Sequence, residues 1–302
     1  MHHLRFLNYI DEIARAGSIR QAAERLHVAP SAVNRRLLDV EDELGTPIFE
    51  RLPRGMRLTA AGELFIHYVR DRAAELEQVR SKIEELKGLR RGTIRIAVSQ
   101  ALAPAFLPRT IAGFRRLHPL VDFQVRVADH VQALAALRAF ETDLMLVVNL
   151  APEPDLEVVA RLEQRLLAVM HRNHPLARRK RDLRLRDCAD YPLVLPNPDT
   201  GGRQMLKRYM ARSSVTLRPA VESNSFEFLR NCLYFEQTIS FQMAIGAVTD
   251  GDNLVVREIA DRGFPRGQLV LARLADRQLP VIAHAFAEHV VAALEAEGAA
   301  RK

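Results

Sequence analysis

Thiols are nearly absent from this 302-residue chain: Cys188 and Cys232 are its only cysteines, too few for a disulfide framework. Apolar runs are short as well. None approaches the roughly 20 residues that cross a bilayer, so neither a membrane-spanning helix nor a membrane partner is expected. The opening Met1-His2-His3-Leu4-Arg5 lacks the apolar core and small-residue cleavage site of a secretory signal, and a cytoplasmic location follows as the expectation. Catalytic signatures are missing too: there is no HExxH, no Walker GxxxxGKS/T, no GxSxG elbow and no pair of CxxC motifs. The chain is therefore expected not to be an enzyme and to hold no metal and no cofactor. His67, His118 and His174 read as packing or surface residues, and the two cysteines as ordinary buried thiols.

What is present is an ordinary globular balance, 48% hydrophobic and 27% charged residues, with a net charge of +7. Residues 1–91 hold 16 Lys and Arg against 14 Asp and Glu, a surplus of two, so the excess lies elsewhere. Much of it sits in Arg178-Arg179-Lys180-Arg181 with Arg184 and Arg186, which reads as a solvated strip. Bulk charge alone does not establish a nucleic-acid partner.

The first fifty residues carry the sharpest signal. Leu4, Leu7, Ile10 and Ile13 lie on one face of an amphipathic helix ending near Gly17, and Ser18 is placed to cap the next. That second helix, Ile19 to Leu26, turns Ala22, Ala23 and Leu26 inward, and its small residues let another helix cross closely. After a turn at His27-Val28-Ala29, Pro30 starts a third helix running to about Leu44, with Val33, Leu37, Val40 and Leu44 as a buried stripe. Two short helices joined this way form a helix-turn-helix. The third helix is electrically lopsided. Its first half exposes Ser31, Asn34, Arg35 and Arg36, and its second half carries Asp39, Glu41, Asp42 and Glu43. Only the first half can face phosphate, and hydroxyl, amide and guanidinium groups at the start of a recognition helix suit the reading of base edges. Pro47 to Leu58, with Arg51, Arg54 and Arg57 around Gly55, reads as a basic hairpin that forms a wing on the DNA backbone or in the minor groove.

The run Gly17-Ser18-Ile19-Arg20-Gln21-Ala22-Ala23-Glu24-Arg25-Leu26-His27-Val28, with Leu37, Glu41-Asp42-Glu43-Leu44-Gly45, Phe49-Glu50-Arg51 and Arg57-Leu58-Thr59-Ala60-Ala61-Gly62, resembles the amino-terminal signature of LysR-type transcriptional regulators across residues 4–68. The carboxy-terminal half resembles the family's periplasmic-binding-protein-like domain in order of elements and in His174-Pro175-Leu176. The resemblance implies that Pro30, Ser31, Asn34 and Arg35 touch bases, that Arg51 and Arg54 lie on the wing, and that Ser18, Gln21, Ala29 and Arg36 complete the DNA-facing set. Two features depart from the family. Pro30 and Ser31 stand where glutamine and proline are common, and Leu38 where a basic residue is common, so an operator sequence does not carry over.

Residues 59–87 read as one long helix. Leu76, Val79, Ile83 and Leu86 follow coiled-coil spacing, with Phe65 and Tyr68 able to extend the seam. Pairing two such helices would space two winged units for a pseudo-palindromic site, and packing along the chain's own second domain is the alternative. The resemblance implies homodimers that associate into tetramers. Gly88-Leu89-Arg90-Arg91-Gly92 reads as a hinge.

From Thr93 the pattern changes. Ile94, Ile96 and Val98 alternate, a helix-like stretch runs to Leu117, and Val121, Phe123, Val125 and Val127 alternate again, a βαβ beginning. A helix from His130 to Ala139 and the apolar strand Leu144 to Val148 extend it toward a parallel sheet covered by helices. The fold class is thus a winged helix-turn-helix, a long linker helix and, by resemblance, a two-lobed α/β domain of the periplasmic-binding-protein type. The expected boundaries are residues 1–58 for the DNA-binding domain, 59–91 for linker helix and hinge, and 92–302 for the effector domain, with lobe I about 92–163 and 266–302 and lobe II about 164–265.

Ligands in such sheets sit beyond the carboxyl ends of strands. The resemblance points to the cleft between the lobes, with Ser99 and Gln100 after the first strand, Val148 and Asn149 ending a later one, Thr200, Gly201 and Gly202 beginning a helix, and Phe241 and Gln242 following Thr238-Ile239-Ser240. A carboxylate of a small anionic metabolite suits their hydroxyls, amides and backbone donors, and caps or turns are their alternative roles. Glu236-Gln237-Thr238 replaces the family's usual glycine-rich turn. The expected function is sequence-specific regulation of transcription under a small-molecule effector, with promoter or operator duplex DNA as partner and RNA polymerase as another if the protein activates. A ligand-independent DNA-binding regulator and a small-molecule-binding α/β protein with an assembly helix are the other readings.

Overall fold

The computed structural model describes residues 2–53, 55–86, 91–247 and 253–299. The chain divides into two units, residues 1–83 and 84–302. The first is built on three helices, α1 (His2–Ala16), α2 (Ile19–Leu26) and α3 (Pro30–Leu44), followed by the antiparallel hairpin of β1 (Phe49–Leu52) and β2 (Gly55–Leu58), and then α4 (Ala60–Leu86). Its core joins Ile10 and Ile13 of α1, Ala22 and Ala23 of α2, Val33 and Leu37 of α3, and Ile66 of α4. The stripe predicted for α3 stops early: Val40 is half-buried and Leu44 is 44% exposed, because the core beneath the helix covers its first half only. Leu26 is half-buried at the edge of the same core, and the side chain of Leu4 lies outside the described residues.

Ser18 holds the N-cap position of α2 in extended backbone, but its hydroxyl makes no capping bond, contrary to expectation. The turn to α3 is closed instead by backbone: His27 adopts φ +55° and Val28 N–H donates to the Ala23 carbonyl at 3.0 Å. The Thr59-Ala60-Ala61-Gly62 run has a local reason. The Thr59 hydroxyl donates to the Pro47 carbonyl at 2.8 Å and accepts from Gly62 N–H at 3.0 Å, capping α4. A Cβ at Gly62 would stand 2.0 Å from the Ile48 carbonyl oxygen, so only glycine lets α4 start this close to the hairpin.

The second unit is a pair of sheets sharing one strand. Parallel strands β3 (Gly92–Val98), β4 (Val121–Val127) and β5 (Leu144–Val148) are connected by α5 (Phe106–Leu117) and α6 (His130–Arg138), as the alternation predicts. The sheet is mixed rather than parallel throughout, because β11 (Arg266–Leu274) returns antiparallel beside β5. The shared strand is β6 (Leu156–His171), 16 residues long. Its first part pairs with β11, and its end pairs with β9 (Ile239–Met243) on one side and β10 (Leu254–Glu258) on the other. The second sheet is completed by β7 (Leu193–Pro196) and β8 (Pro219–Ser223), with the short α7 (Leu185–Cys188), α8 (Gly201–Met210) and α9 (Phe226–Phe235) around it. The closing helix α10 (Val281–Ala299) buries Phe286 edge-on against Phe114 and Phe123, with ring centroids 5.1 and 4.8 Å away. Among the described residues no helix is long and apolar enough to cross a membrane, and no group of three or more His, Cys, Asp or Glu is placed to hold a metal.

Candidate functional site

The exposed start of α3 and the hairpin form one polar surface in the first unit. Pro30 at the first helical position fixes the entry, so Ser31 and Arg35 project outward while Val33 and Leu37 hold the opposite face. Arg35 is exposed and has no hydrogen-bond or ion-pair partner among the described residues. Arg36 is paired with Asp39 at 3.1 Å, and Arg57 with Glu50 at 2.7 Å. Arg51 reaches from the hairpin to the Asn34 carboxamide, Nη2 to Oδ1, at 2.9 Å, a bond between the two elements expected to face DNA. Glu41 fixes their angle further, accepting from the Ile48 and Phe49 amides at 2.9 and 3.2 Å. Gln21 and Ala29 are exposed, Ser18 is half-buried, and Arg54 lies outside the described residues.

Along α4, Leu64, Tyr68, Val79 and Ile83 are 77%, 50%, 50% and 45% exposed, an apolar stripe that this unit does not cover. Leu76 is half-buried on the same helix. Phe65, grouped with the seam from its spacing, packs against the unit's own core. The side chain of Leu86 lies outside the described residues.

The second unit contains a cavity of about 200 Å³ at the carboxyl ends of β3, β4 and β5 on one side and β7, β8 and β9 on the other. Eight of the nine residues named for it line it: Ser99, Gln100, Val148, Thr200, Gly201, Gly202, Phe241 and Gln242. Phe241 and Gln242 lie inside β9 rather than after it, because that strand continues to Met243. Asn149 does not line the cavity. It sits at φ +56° with its side-chain oxygen accepting from Gln268 N–H at 2.8 Å and its amide donating to the Gly201 carbonyl at 3.3 Å, so it braces the wall. The Thr200 hydroxyl turns back to the Asn197 carbonyl at 3.0 Å and leaves the start of α8 without a side-chain cap. A Cβ on Gly201 would come within 2.8 Å of the Val148 carbonyl oxygen, and that missing side chain brings the helix start to the end of β5.

With both surfaces described, the likeness to known proteins is specific. Residues 4–63 match the bacterial regulatory helix-turn-helix protein of the lysR family, and residues 87–295 match the LysR substrate binding domain. The chain belongs to the LysR family. It is a DNA-binding transcriptional regulator with an effector-binding domain. Among its LysR relatives, the RuBisCO operon transcriptional regulator of Allochromatium vinosum is 29% identical over 95% of this chain and 95% of its own length. A full-length OxyR from Pseudomonas aeruginosa superposes with a TM-score of 0.72 at 21% identity, covering 95% of this chain and 94% of that one. The regulatory domain of Synechocystis PCC6803 CcmR, solved in complex with 2-PG, matches with a TM-score of 0.60 at 25% identity over 68% of this chain and 98% of that domain.

The LysR cleft also has lining residues that the sequence reading did not select: Asp129, His130, Gln132, Asn197, Asn224 and Phe226. Asp129 was readable as a helix cap, and it accepts from Gln132 N–H at 2.8 Å at the start of α6. Asn197 and Asn224 follow strands whose pairing the sequence does not reveal.

The thiols, His118 and His174 pack into the fold, and His67 lies on the surface. Cys188 is buried, and Cys232 is half-buried rather than buried as expected. Burial, helped by the Asp187 and Asp261 charges, pushes the Cys188 thiol up to about 12. At pH 8 it stays protonated, so iodoacetamide is expected to leave Cys188 unmodified in the folded protein and to alkylate it after denaturation; mass mapping of the adducts checks this. His174 is buried beside Tyr191, with ring centroids 4.5 Å apart; it accepts from Leu176 N–H, and burial holds it below the ordinary imidazole range. His118 packs on Phe114 at 4.4 Å, and His67 lies 3.4 Å from Asp71. The basic strip is partly neutralised, since Arg179 and Arg181 both reach Asp187.

Proposed function

We propose that the winged unit reads an operator through the start of α3, that α4 pairs two copies, and that a small anionic effector in the cleft between the lobes changes the affinity or bend of the bound DNA. The observation that carries the DNA reading is Arg35, a guanidinium at the amino end of the reading helix with no intramolecular partner among the described residues. Ser31 and Asn34 flank it, with Pro30, Ala29, Gln21, Ser18 and Arg36 around the same edge and Arg51 on the wing. Arg54 belongs to the proposal by its place in the sequence. A guanidinium binding guanine through two hydrogen bonds contributes about 1 to 3 kcal/mol of discrimination. Arg35→Ala is therefore expected to lower operator affinity by that amount while changing binding to scrambled duplex much less. A mobility-shift titration on both duplexes decides, and unchanged discrimination would remove Arg35 from the reading set.

The pairing of α4 is supported by the exposed Val79 and Ile83, which share a heptad seam with Leu76 and Leu86, and by Leu64 and Tyr68, exposed nearer the start of the helix. It sets a homodimer, and a tetramer by association of dimers. The effector reading is supported by the cavity's place at the strand ends and by the 2-PG held by the regulatory domain of CcmR. The proposed boundaries follow the same division: 1–58 for the DNA reader, 59–91 for linker helix and hinge, 92–302 for the effector domain, with lobe I about 92–163 and 266–302 and lobe II about 164–265. The protein acts in the cytoplasm on the nucleoid, carries no catalytic activity or cofactor, and meets RNA polymerase where it activates.

A further inference from the structure

The charges around the cleft qualify the anionic reading: they suit a carboxylate that carries its own positive charge. Among the described residues lining it there is no Lys and no Arg, whereas two carboxylates, Asp129 and Asp199, stand on its two sides. A phosphate or dicarboxylate dianion is ordinarily held by guanidinium or ammonium groups. Placed between two aspartates, with the His130 imidazole as the one basic group among the described lining residues, it would meet more like charge than counter-charge, an arrangement that selects against it. The cavity nevertheless has a place for one negative group. Helix α8, 10 residues long, opens into it at Thr200, Gly201 and Gly202 without a side-chain cap, and uncapped amides at a helix start favour a single anion. A further observation marks the site as built for a polar guest. Gln242 is 5% exposed and lines the cavity, and its carboxamide has no hydrogen-bond partner among the described residues. That amide is open to the cavity, where it can donate to and accept from a bound molecule.

We propose that the effector is a zwitterion of amino-acid type, its carboxylate on the amides that open α8, its protonated amine between Asp129 and Asp199, and a polar atom on Gln242. The cavity of about 200 Å³ suits such a compact molecule, since drug-sized ligands fill roughly 300 Å³ or more. This inference rests on the cleft being the effector site, and its test separates the two.

Melting of the full-length protein is to be followed with each common amino acid, with 2-PG and with glycerol, all at millimolar concentration. At least one amino acid is expected to raise the midpoint by about 2 to 4 °C, with 2-PG and glycerol inert. Asp129→Asn, which keeps the helix cap, and Asp199→Asn are each expected to weaken that amino acid about tenfold by calorimetry. Gln242→Leu is expected to weaken it to a similar extent. If 2-PG stabilises the protein, amino acids do not, and Gln242→Leu removes the effect, the zwitterion is wrong and the cleft stands. Amino-acid binding unchanged within twofold in both Asp variants likewise overturns the charge assignment alone. If no compound shifts the midpoint, or a shift survives Gln242→Leu undiminished, the zwitterion and the cleft fall together.

Discussion

A chain carrying Val79→Glu and Ile83→Glu is expected to sediment as a monomer and to lose operator affinity by roughly a hundredfold or more. Both side chains are about half exposed on α4, so their replacement by a good helix former leaves the winged unit's own core intact. In a pair of such helices the same positions face each other, and four carboxylates would enter an apolar seam, where unpaired charge is strongly unfavourable. The affinity loss is larger than the loss of any one contact. Two tethered readers bind the second half-site at an effective concentration in the millimolar range, an advantage of about 10² to 10⁴ that a monomer forfeits. Sedimentation velocity and a titration on full and half operators measure both effects. A variant that remains dimeric at low micromolar concentration would show that α4 is not the pairing element.

Asp143→Ala is expected to destabilise the second unit by about 3 to 5 kcal/mol, the range for breaking a buried ion pair on one side. Asp143 is 1% exposed, and both oxygens are engaged. Oδ1 accepts from Arg277 Nη2 at 2.7 Å, and Oδ2 from the Arg95 backbone amide, in the middle of β3, at 2.8 Å. The guanidinium of Arg277 also donates to the Thr142 carbonyl at 2.8 Å and lies 5.0 Å from the Phe140 ring centroid. Removing the carboxylate leaves a buried cation and an unmet amide together. Replacing both partners, Asp143→Leu with Arg277→Met, is expected to cost much less, because no lone charge remains. Urea denaturation followed by circular dichroism compares the two, and a single variant that loses under about 1 kcal/mol would rule out the ion pair as a stabilising clamp.

Helices whose periodicity is enforced by one small core were legible. The bounds of α2 and α3 and the five-residue β5 agree with the sequence reading because each is bounded by a turn residue or carries a single repeating pattern. Leu44 was misplaced because an unbroken stripe does not say where the core beneath it ends. Strand β6 was not assigned. It changes surroundings halfway: Glu157, Arg161, Glu163 and Arg165 are exposed, whereas Ala168, Val169 and Met170 are buried in succession, so no single period describes it. The cleft was legible as strand ends and helix starts, and that is why eight of its lining residues stand out in the sequence. Its two aspartates were not, because a carboxylate at a cap or in a loop has an ordinary structural use, and only the tertiary fold brings Asp129 and Asp199 to one cavity.

The passage of β6 through both sheets limits how the lobes can move. Lobes joined by loops alone are free to swing wide, but a continuous 16-residue strand with paired neighbours at each end resists folding at its middle. Relative motion is then channelled into twisting about the strand's own axis, between the stretch held by β11 and the stretch held by β9 and β10. An occupied cleft would report itself as a small torsion rather than a large closure, and in the proposed dimer amplification of that signal would fall to the pairing of subunits.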